Sequence, residues 1–244
     1  MTRAAREVRF AVLRHAPTEW NGERRLQGLT DTPLSPAGEQ AARSWCLPAP
    51  AAGWKRLCSP LARARRTAEL LRPQAPLTLE SRLREMSFGV WEGKTIAELR
   101  ATVGERFVEA EKLGLDFHPP GGESPRQVMQ RLSGLLAELA RAGEPVVAVS
   151  HKAVLRALLA IATGWDMTGR QPLKLDWQCL HVFAATPDGA VKIDRLNVPL
   201  TFSNSSPPLG GEARRGGYAH RMLPSLLTSP PSGGEEEERR VLPL

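Results

Sequence analysis

The sequence predicts an α/β fold of three layers: a mostly parallel central sheet flanked by helices, with a small helical insertion above it. Two observations predict this class. Short apolar runs alternate with helical patterns along the chain, as in sheets whose parallel strands are joined by helices. The run from Pro145 to Val149 is apolar at every position, which is typical of a strand buried on both faces at the centre of such a sheet.

The elements of the first half follow from local signals. The apolar run Phe10-Ala11-Val12-Leu13 places a first strand at about Arg9 to Leu13. Ser35 then caps a helix that begins with Pro36 and continues to about Cys46, because serine suits the N-cap and proline the first turn. The same alternation predicts a strand, a helix and a third strand at Lys55 to Cys58, Ala62 to Leu71 and Leu77 to Glu80.

The second half contains the insertion and the central strand. Short helices at 95–101 and 105–113 surround Gly104 and form the insertion. The clearest helix begins at Ser124-Pro125 and ends at about Ala142, with an apolar face at helical spacing made of Val128, Leu132, Leu135, Leu136 and Leu139. The central strand is followed by a helix from Ala153 to Thr163 and by a terminal hairpin with strands at Leu180 to Ala184 and Val191 to Leu196.

The composition changes after Phe202. Residues 203–244 are rich in Ser, Pro and Gly and include the run Glu235 to Arg240. Nothing there has the period of a core-forming element, so we expect one folded domain, 1–202, and a disordered low-complexity tail, 203–244. A specific interaction tail is the alternative.

Charge and cysteine content restrict the function classes. The net charge is +7 with 5% aromatic residues, and the basic excess is dispersed over residues 1–202. This favours a small anionic ligand over nucleic acid. The three cysteines lack CxxC spacing, which indicates a reducing compartment. No secretory signal is recognisable, and the most apolar segment, Ala153 to Trp165, is too short for a bilayer. We therefore expect a cytoplasmic protein without membrane contact; the oligomeric state is left open.

Basic side chains follow three predicted strands. Arg14 and His15 come after the first strand, Arg63 lies in the first helical turn after the second, and His151 follows the central strand. The carboxyl ends of parallel strands share one edge of a sheet, where ligands bind. Because burying such groups without a partner is costly, an anionic ligand is expected there.

These residue types suit phosphoryl transfer. Two arginines can hold phosphate oxygens through bidentate forks, and the helix that starts after His151 adds positive potential. His15 can be the nucleophile if it is neutral, while a protonated His151 stabilises the transferring oxygens. Glu85 can protonate the leaving oxygen and then activate water, with Glu80 and Glu92 as alternatives. No metal or cofactor is expected, because arginine and histidine already supply the cationic clamp.

The four segments around His15, Arg63, Glu85 and His151 occur in an order that resembles the histidine phosphatase superfamily, phosphoglycerate-mutase-like branch, over about residues 8–200. The resemblance implies that His15 becomes a phosphohistidine and that Glu85 is the proton donor. It further implies roles for two sets of residues: Arg14, Asn21, Arg63 and His151 in binding phosphate, and Thr18, Gln27 and Gly28 on the substrate side.

Departures from the family pattern favour hydrolysis. Ala16 and Lys152 stand where glycine is common, and His151 follows Glu85 by 66 positions, which looks short for a cofactor-dependent mutase. We therefore expect a phosphomonoesterase that acts on a small phosphorylated metabolite. A phosphoglycerate mutase and a non-catalytic phosphate-binding module on the same fold are the alternatives. Ala16-Pro17 resembles some alpha-ribazole-phosphatase-like members, but two residues do not assign a substrate. Specificity is expected to reside in the insertion, about Thr95 to Pro120.

Overall fold

A computed structural model describes residues 7–71 and 76–202. The predicted tail, 203–244, lies outside the described residues. The strands are β1 Val8–Arg14, β2 Trp45–Cys46, β3 Lys55–Cys58, β4 Leu77–Leu79, β5 Val146–Ser150, β6 Leu180–Ala185, β7 Val191–Val198 and β8 Thr201–Phe202. The α-helices are α1 Glu19–Gly22, α2 Pro36–Ser44, α3 Ala62–Leu70, α4 Ile96–Val103, α5 Glu105–Glu111, α6 Pro125–Ala142 and α7 Lys152–Thr163. Short 3₁₀ turns lie at Ala51–Gly53, Ser81–Leu83, Gly89–Trp91 and Gly114–Asp116.

Six strands form the main sheet in the order β4-β3-β5-β1-β6-β7. The four strands from β4 to β1 are parallel, whereas β6 runs antiparallel to β1, and β7 antiparallel to β6. The parallel strands are joined through helices and β6 and β7 form the terminal hairpin, so the predicted α/β class is confirmed.

The strand register determines where the site can form. Arg14 lies opposite Ser150 in the β1–β5 pair, and Cys58 lies opposite Val149 in the β3–β5 pair. The three parallel strands therefore end almost level with one another. The residues that follow them, including His15 and His151, leave the sheet at one edge.

Two apolar clusters pack on the two faces of the sheet. One contains the inner faces of α6 and α7, and the other contains residues of α2 and α3. The insertion joins the first cluster through an aromatic group in which Phe107 lies 5.1 Å from Trp91 and 6.4 Å from Phe117, ring centre to ring centre. Burying these rings removes large apolar surfaces from water, which attaches α5 firmly to the domain.

The boundaries of the predicted elements differ from the predictions by at most two residues, whereas helix α1 and the pair β2–β8 were not predicted. The helix predicted to reach Cys46 ends at Ser44, because Trp45 and Cys46 pair with Phe202 and Thr201 as antiparallel strands. Trp45 is buried in the second cluster. A two-residue strand whose partner is distant in the sequence has no period of its own, so the local pattern could not predict it.

Across the two described ranges, the helices are too short or too polar to cross a bilayer.

Candidate active site

His15 is held directly beyond β1. Its backbone N–H donates to the Ser150 carbonyl at 2.9 Å, and Nδ1 lies 2.8 Å from the Ala16 carbonyl oxygen. A carbonyl can only accept a hydrogen bond, so Nδ1 carries the hydrogen and Nε2 keeps its lone pair. The ring is 4% exposed and lines a cavity. This tautomer leaves Nε2 available as a nucleophile.

The electrostatic surroundings keep His15 neutral. Burial lowers its pKa well below the ordinary value, and the positive charges of Arg14 and Arg63 lower it further. Both causes act against the imidazolium form. His15 therefore has an unprotonated nitrogen at neutral pH.

Arg63 is fully buried in the first turn of α3. Its two terminal nitrogens donate to the carbonyl oxygens of Gly28 at 2.7 Å and Thr30 at 3.0 Å. These bonds fix the plane of the guanidinium. A fixed planar donor is suited to holding phosphate oxygens without a further loss of side-chain freedom.

Glu92 holds the loop that orients Arg63. Its carboxylate accepts from the backbone N–H groups of Leu29 at 3.0 Å and Thr30 at 2.8 Å. A Cβ on Gly28 would lie 2.1 Å from Glu92 Oε1, and the φ of Gly28 is +55°, so only glycine fits there. Partial burial alone would raise the pKa of Glu92, but the hydrogen bonds from Thr30 and Leu29 lower it overall. An ionised carboxylate engaged in this way has no proton to donate.

His151 lies at the N-cap of α7, directly after β5. Its ring centre is 5.2 Å from that of His15, and its Nε2 is 2.7 Å from Ser59 Oγ. Burial lowers the pKa of His151 well below the ordinary value, as do the neighbouring Arg63 and His15. The imidazolium expected from the sequence therefore requires an additional negative charge beside the ring, which a bound phosphate would supply.

Three buried nitrogens beside His15 have no hydrogen-bond partner: Arg14 Nε, Arg63 Nε and His151 Nδ1. Two further such atoms within the described ranges, on Arg56 and Glu111, lie elsewhere. An unsatisfied buried polar atom costs roughly 1–3 kcal/mol. Three of them around one histidine indicate a site for a ligand rich in acceptor oxygens.

Glu85 is the acidic residue that lines the cavity. It is 7% exposed, and its Oε1 accepts from the backbone N–H groups of Met86 at 3.0 Å and Ala153 at 3.1 Å. Ala153 lies in the first turn of α7, so this contact places the carboxylate beside the helix that starts after His151. The sequence offered Glu80 and Glu92 as alternative proton donors. Of these, Glu92 holds the loop that orients Arg63. Glu80 is paired with Arg82 at 2.8 Å.

Arg131 of α6 supports the segment that carries Glu85. Its guanidinium donates to the carbonyl oxygens of Arg82, of Arg84 at 2.8 Å and of Glu85 at 3.2 Å, and it pairs with Glu123 at 3.3 Å. Sequence reasoning missed Arg131. The available signal was an arginine beside Leu132 on the buried side of α6, which is too weak to indicate this role.

The remaining predicted site residues fall into two groups. Asn21 and Gln27 line the cavity. Thr18 is 2% exposed and forms a capping box with Asn21, in which Asn21 Oδ1 accepts from the Thr18 backbone N–H at 3.0 Å. Thr18 and Gly28 do not line the cavity, and the contacts shown for both are structural.

The cavity has a volume of about 370 Å³, which suits a small metabolite. Arg14, His15 and Glu85 form one part of its wall, while Trp20, Phe88 and Trp177 contribute aromatic surface. Within the described part of the chain, no group of three or more His, Cys, Asp or Glu side chains could hold a metal ion.

We expect the free energy of unfolding to fall as the pH is lowered from about 6.5 to about 5.5. His15 and His151 have lowered pKa values in the folded protein, so the unfolded chain takes up protons that the folded site excludes. The stability that comes from keeping both rings neutral is fully present above the ordinary histidine pKa. It is lost as the pH falls below that value. Each histidine contributes roughly 1.4 kcal/mol per pH unit in that window. Urea unfolding at several pH values measures the slope.

Substitution of His15 tests whether the buried histidines cause this dependence of the free energy of unfolding on pH. His15→Asn should make the slope shallower by the contribution of one histidine, while the contribution of His151 remains. A wild-type slope in His15→Asn would contradict a neutral, buried His15.

Comparison with known proteins places the chain among phosphate-transferring enzymes. The probable phosphoglycerate mutase GpmB of Salmonella paratyphi B is 34% identical over 170 residues, 67% of this chain and 79% of that protein. A mycobacterial glucosyl-3-phosphoglycerate phosphatase, solved in complex with VO3, is 28% identical with a TM-score of 0.63 over 78% of this chain and 99% of that one. The alpha-ribazole phosphatase of Shigella flexneri has a TM-score of 0.63 over 81% and 100% of the two chains, and its 23% identity supports the fold alone.

The family assignment rests on the larger part of the sequence. The model of the histidine phosphatase superfamily (branch 1) matches residues 10–199, which include every candidate site residue discussed above. This confirms the family predicted from the four segments. The chain belongs to branch 1 of the histidine phosphatase superfamily.

Proposed function

We propose that the protein is a metal-independent phosphomonoesterase that acts on a small phosphorylated metabolite through a phosphohistidine at His15. We assign this activity to the predicted domain, residues 1–202. One observation carries the proposal: a neutral histidine with a free Nε2 lines the cavity, next to three buried nitrogens that have no protein partner. A phosphoryl group is the ligand that satisfies both features.

In the first step, His15 Nε2 attacks phosphorus and the ester P–O bond breaks as the N–P bond forms. The hydrogen bond from Nδ1 to the Ala16 carbonyl stabilises the positive charge that develops on the ring. Arg14, Arg63 and His151 hold the non-bridging oxygens. Glu85, in its acid form, donates a proton to the leaving oxygen.

In the second step, the resulting Glu85 carboxylate accepts a proton from water. The hydroxide attacks phosphorus, the N–P bond breaks with its electron pair returning to His15 Nε2, and inorganic phosphate leaves. His15 returns to its neutral form, and Glu85 regains its proton. The cycle needs one water molecule and no metal, because fixed cationic side chains balance the charge on the oxygens.

We expect the hydrolysis of simple phosphomonoesters to continue unchanged in EDTA, because arginine and histidine supply the positive charge that a metal would otherwise provide. The rate of hydrolysis is measured as the release of inorganic phosphate from p-nitrophenyl phosphate and from glycerol phosphate. The control sample contains EDTA together with Mg²⁺ or Zn²⁺ in excess of the chelator. Activity that disappears in EDTA and returns with either metal would contradict the proposal.

Phosphoglycerate mutase activity is the second candidate, favoured by the similarity to GpmB. A mutase returns the phosphoryl group to another oxygen of the substrate, whereas a phosphatase transfers it to water. Incubation with 3-phosphoglycerate separates the two. Inorganic phosphate as the main product supports our proposal, and 2-phosphoglycerate as the main product supports the mutase.

A further inference from the structure

Ser59 has a buried hydroxyl beside the second histidine, and the mechanism above gives it no role. It lies in the turn between β3 and α3 and is fully buried. Its backbone N–H donates to the Val149 carbonyl at 3.0 Å, which extends the pairing of β3 with β5 by one residue. Its Oγ lies 2.7 Å from His151 Nε2. The main chain thus holds this hydroxyl in a fixed place next to the ring.

The contact between Ser59 and His151 joins two groups that can each donate or accept a hydrogen bond. Ser59 Oγ already accepts from the Leu61 backbone N–H at 3.3 Å, and its own hydrogen needs an acceptor. Within the described ranges, His151 Nε2 is the acceptor found for it. A ring nitrogen that accepts a hydrogen bond is unprotonated, so the neutral ring then carries its hydrogen on Nδ1.

The other ring nitrogen of His151 is the one left to bind phosphate. Nδ1 is buried and has no hydrogen-bond partner, like the Nε atoms of Arg14 and Arg63 in the same site. An unprotonated Nδ1 could not bond to a phosphate oxygen, because both atoms are acceptors. With its hydrogen on Nδ1, the ring donates to that oxygen while it remains neutral. The hydrogen bond at Nε2 therefore decides whether Nδ1 is ready to bind the substrate.

The surroundings of the His151 ring favour a neutral donor over an imidazolium. Burial is the largest cause that lowers its pKa, and the charges of Arg63, His15, Arg14 and Arg131 all act in the same direction. The arginines of the site already supply positive charge to a bound phosphate. A neutral ring adds one more hydrogen bond without adding another cation to a crowded, buried group of cations.

We propose that Ser59 is a positioning residue for phosphoryl transfer, whose hydroxyl donates to His151 Nε2 and so holds the ring as a neutral Nδ1–H donor to the phosphate. The inference rests on the proposed phosphomonoesterase function and specifies the state in which the second histidine works. A neutral ring replaces the protonated His151 expected from the sequence. Ser59 acts through His151 and not by contact with the substrate.

The protonation of the ring can be observed without turnover. Long-range proton–nitrogen correlation spectra of isotopically labelled protein separate protonated from unprotonated ring nitrogens, and the signals of His151 are assigned by their loss in His151→Asn. In the wild-type protein saturated with inorganic phosphate near neutral pH, we expect a protonated Nδ1 and an unprotonated Nε2. This pattern supports the inference even if no ester is hydrolysed. Two protonated nitrogens, or a proton on Nε2 alone, would overturn it even if p-nitrophenyl phosphate is hydrolysed rapidly.

Removing the hydroxyl should weaken both binding and turnover. Ser59→Ala leaves a buried ring nitrogen without its donor, so we expect the affinity for inorganic phosphate and the kcat/KM for glycerol phosphate each to fall about tenfold, which corresponds to about 1.4 kcal/mol. In a His151→Ala background the same change should cost less than about twofold, because the two residues act as a unit. An unchanged Ser59→Ala enzyme, or a full tenfold loss in the double variant, would contradict the inference.

Ser35→Ala is the matched control. Ser35 is also a buried serine, at 8% exposed, and its Oγ accepts from a backbone N–H at a helix start, that of Gly38 at 3.0 Å. The other contact shown for this hydroxyl is with the Pro17 carbonyl, so neither histidine depends on it. Urea unfolding should show a loss of stability in both serine variants, but Ser35→Ala should keep the wild-type kcat/KM and phosphate affinity. Equal losses of activity in the two variants would show a general loosening of the fold and refute the role of Ser59.

Discussion

Replacing His15 with alanine is expected to reduce the hydrolysis of phosphomonoesters by on the order of 10⁴-fold or more, because nucleophile and pocket act as a unit. Water would have to attack phosphorus directly in a site arranged around Nε2. The arginine clamp stays in place, so binding of inorganic phosphate should be retained. Steady-state kinetics and calorimetry measure the two effects separately.

The covalent intermediate gives a more direct test. A phosphohistidine survives alkali and is lost in acid, so alkaline quenching followed by intact-mass measurement should detect an added phosphoryl group on the wild-type chain. His15→Ala should lack it. His118→Ala is the control, because His118 is exposed and its Nε2 contacts the Gly122 carbonyl. A phosphorylated His15→Ala chain, or one with wild-type turnover, would disprove the assigned nucleophile.

The Glu85→Gln variant should lower kcat for alkyl phosphates by roughly 10²–10⁴-fold, the usual contribution of a general acid or base. The amide keeps the size of the carboxyl, and its oxygen can still accept from the N–H groups of Met86 and Ala153. Phosphate binding should therefore remain. Kinetics with glycerol phosphate and calorimetry with inorganic phosphate check these two expectations.

The leaving group distinguishes an acid from a structural residue. p-Nitrophenolate leaves without a proton, so the first step should be much less impaired with p-nitrophenyl phosphate than with glycerol phosphate. A burst of p-nitrophenol in Glu85→Gln would show that formation of the intermediate is faster than its hydrolysis. Glu80→Gln, which alters a carboxylate paired with Arg82, should show neither effect. Equal losses with both esters would argue against proton transfer by Glu85.

Local sequence signals predicted most of the fold because they arise within single elements. The apolar run of β5 and the apolar face of α6 each reflect burial against the rest of the domain, and Ser124-Pro125 marks a helix start by capping. The pair β2–β8 escaped prediction because its two strands are stabilised by each other and not by their own patterns.

The candidate site also contains some residues whose proximity the sequence predicts and others whose role it does not. Arg14, His15 and His151 follow strands, and parallel strands bring their carboxyl ends together, so their proximity could be anticipated. The supporting residues could not. Glu92 holds the loop that fixes Arg63, and Arg131 holds the backbone of the Glu85 segment. These contacts join segments separated by dozens of residues, and no short motif encodes them.

By itself, the sequence determined the fold class and predicted which basic side chains gather at one edge of the sheet, because both follow from periodicity and from the position of polar groups at strand ends. The tertiary structure decided two further matters: which ring nitrogen of His15 is free, and which of three nearby glutamates faces the cavity. Each depends on burial and on the distances between charges. Those quantities arise only when distant segments pack together.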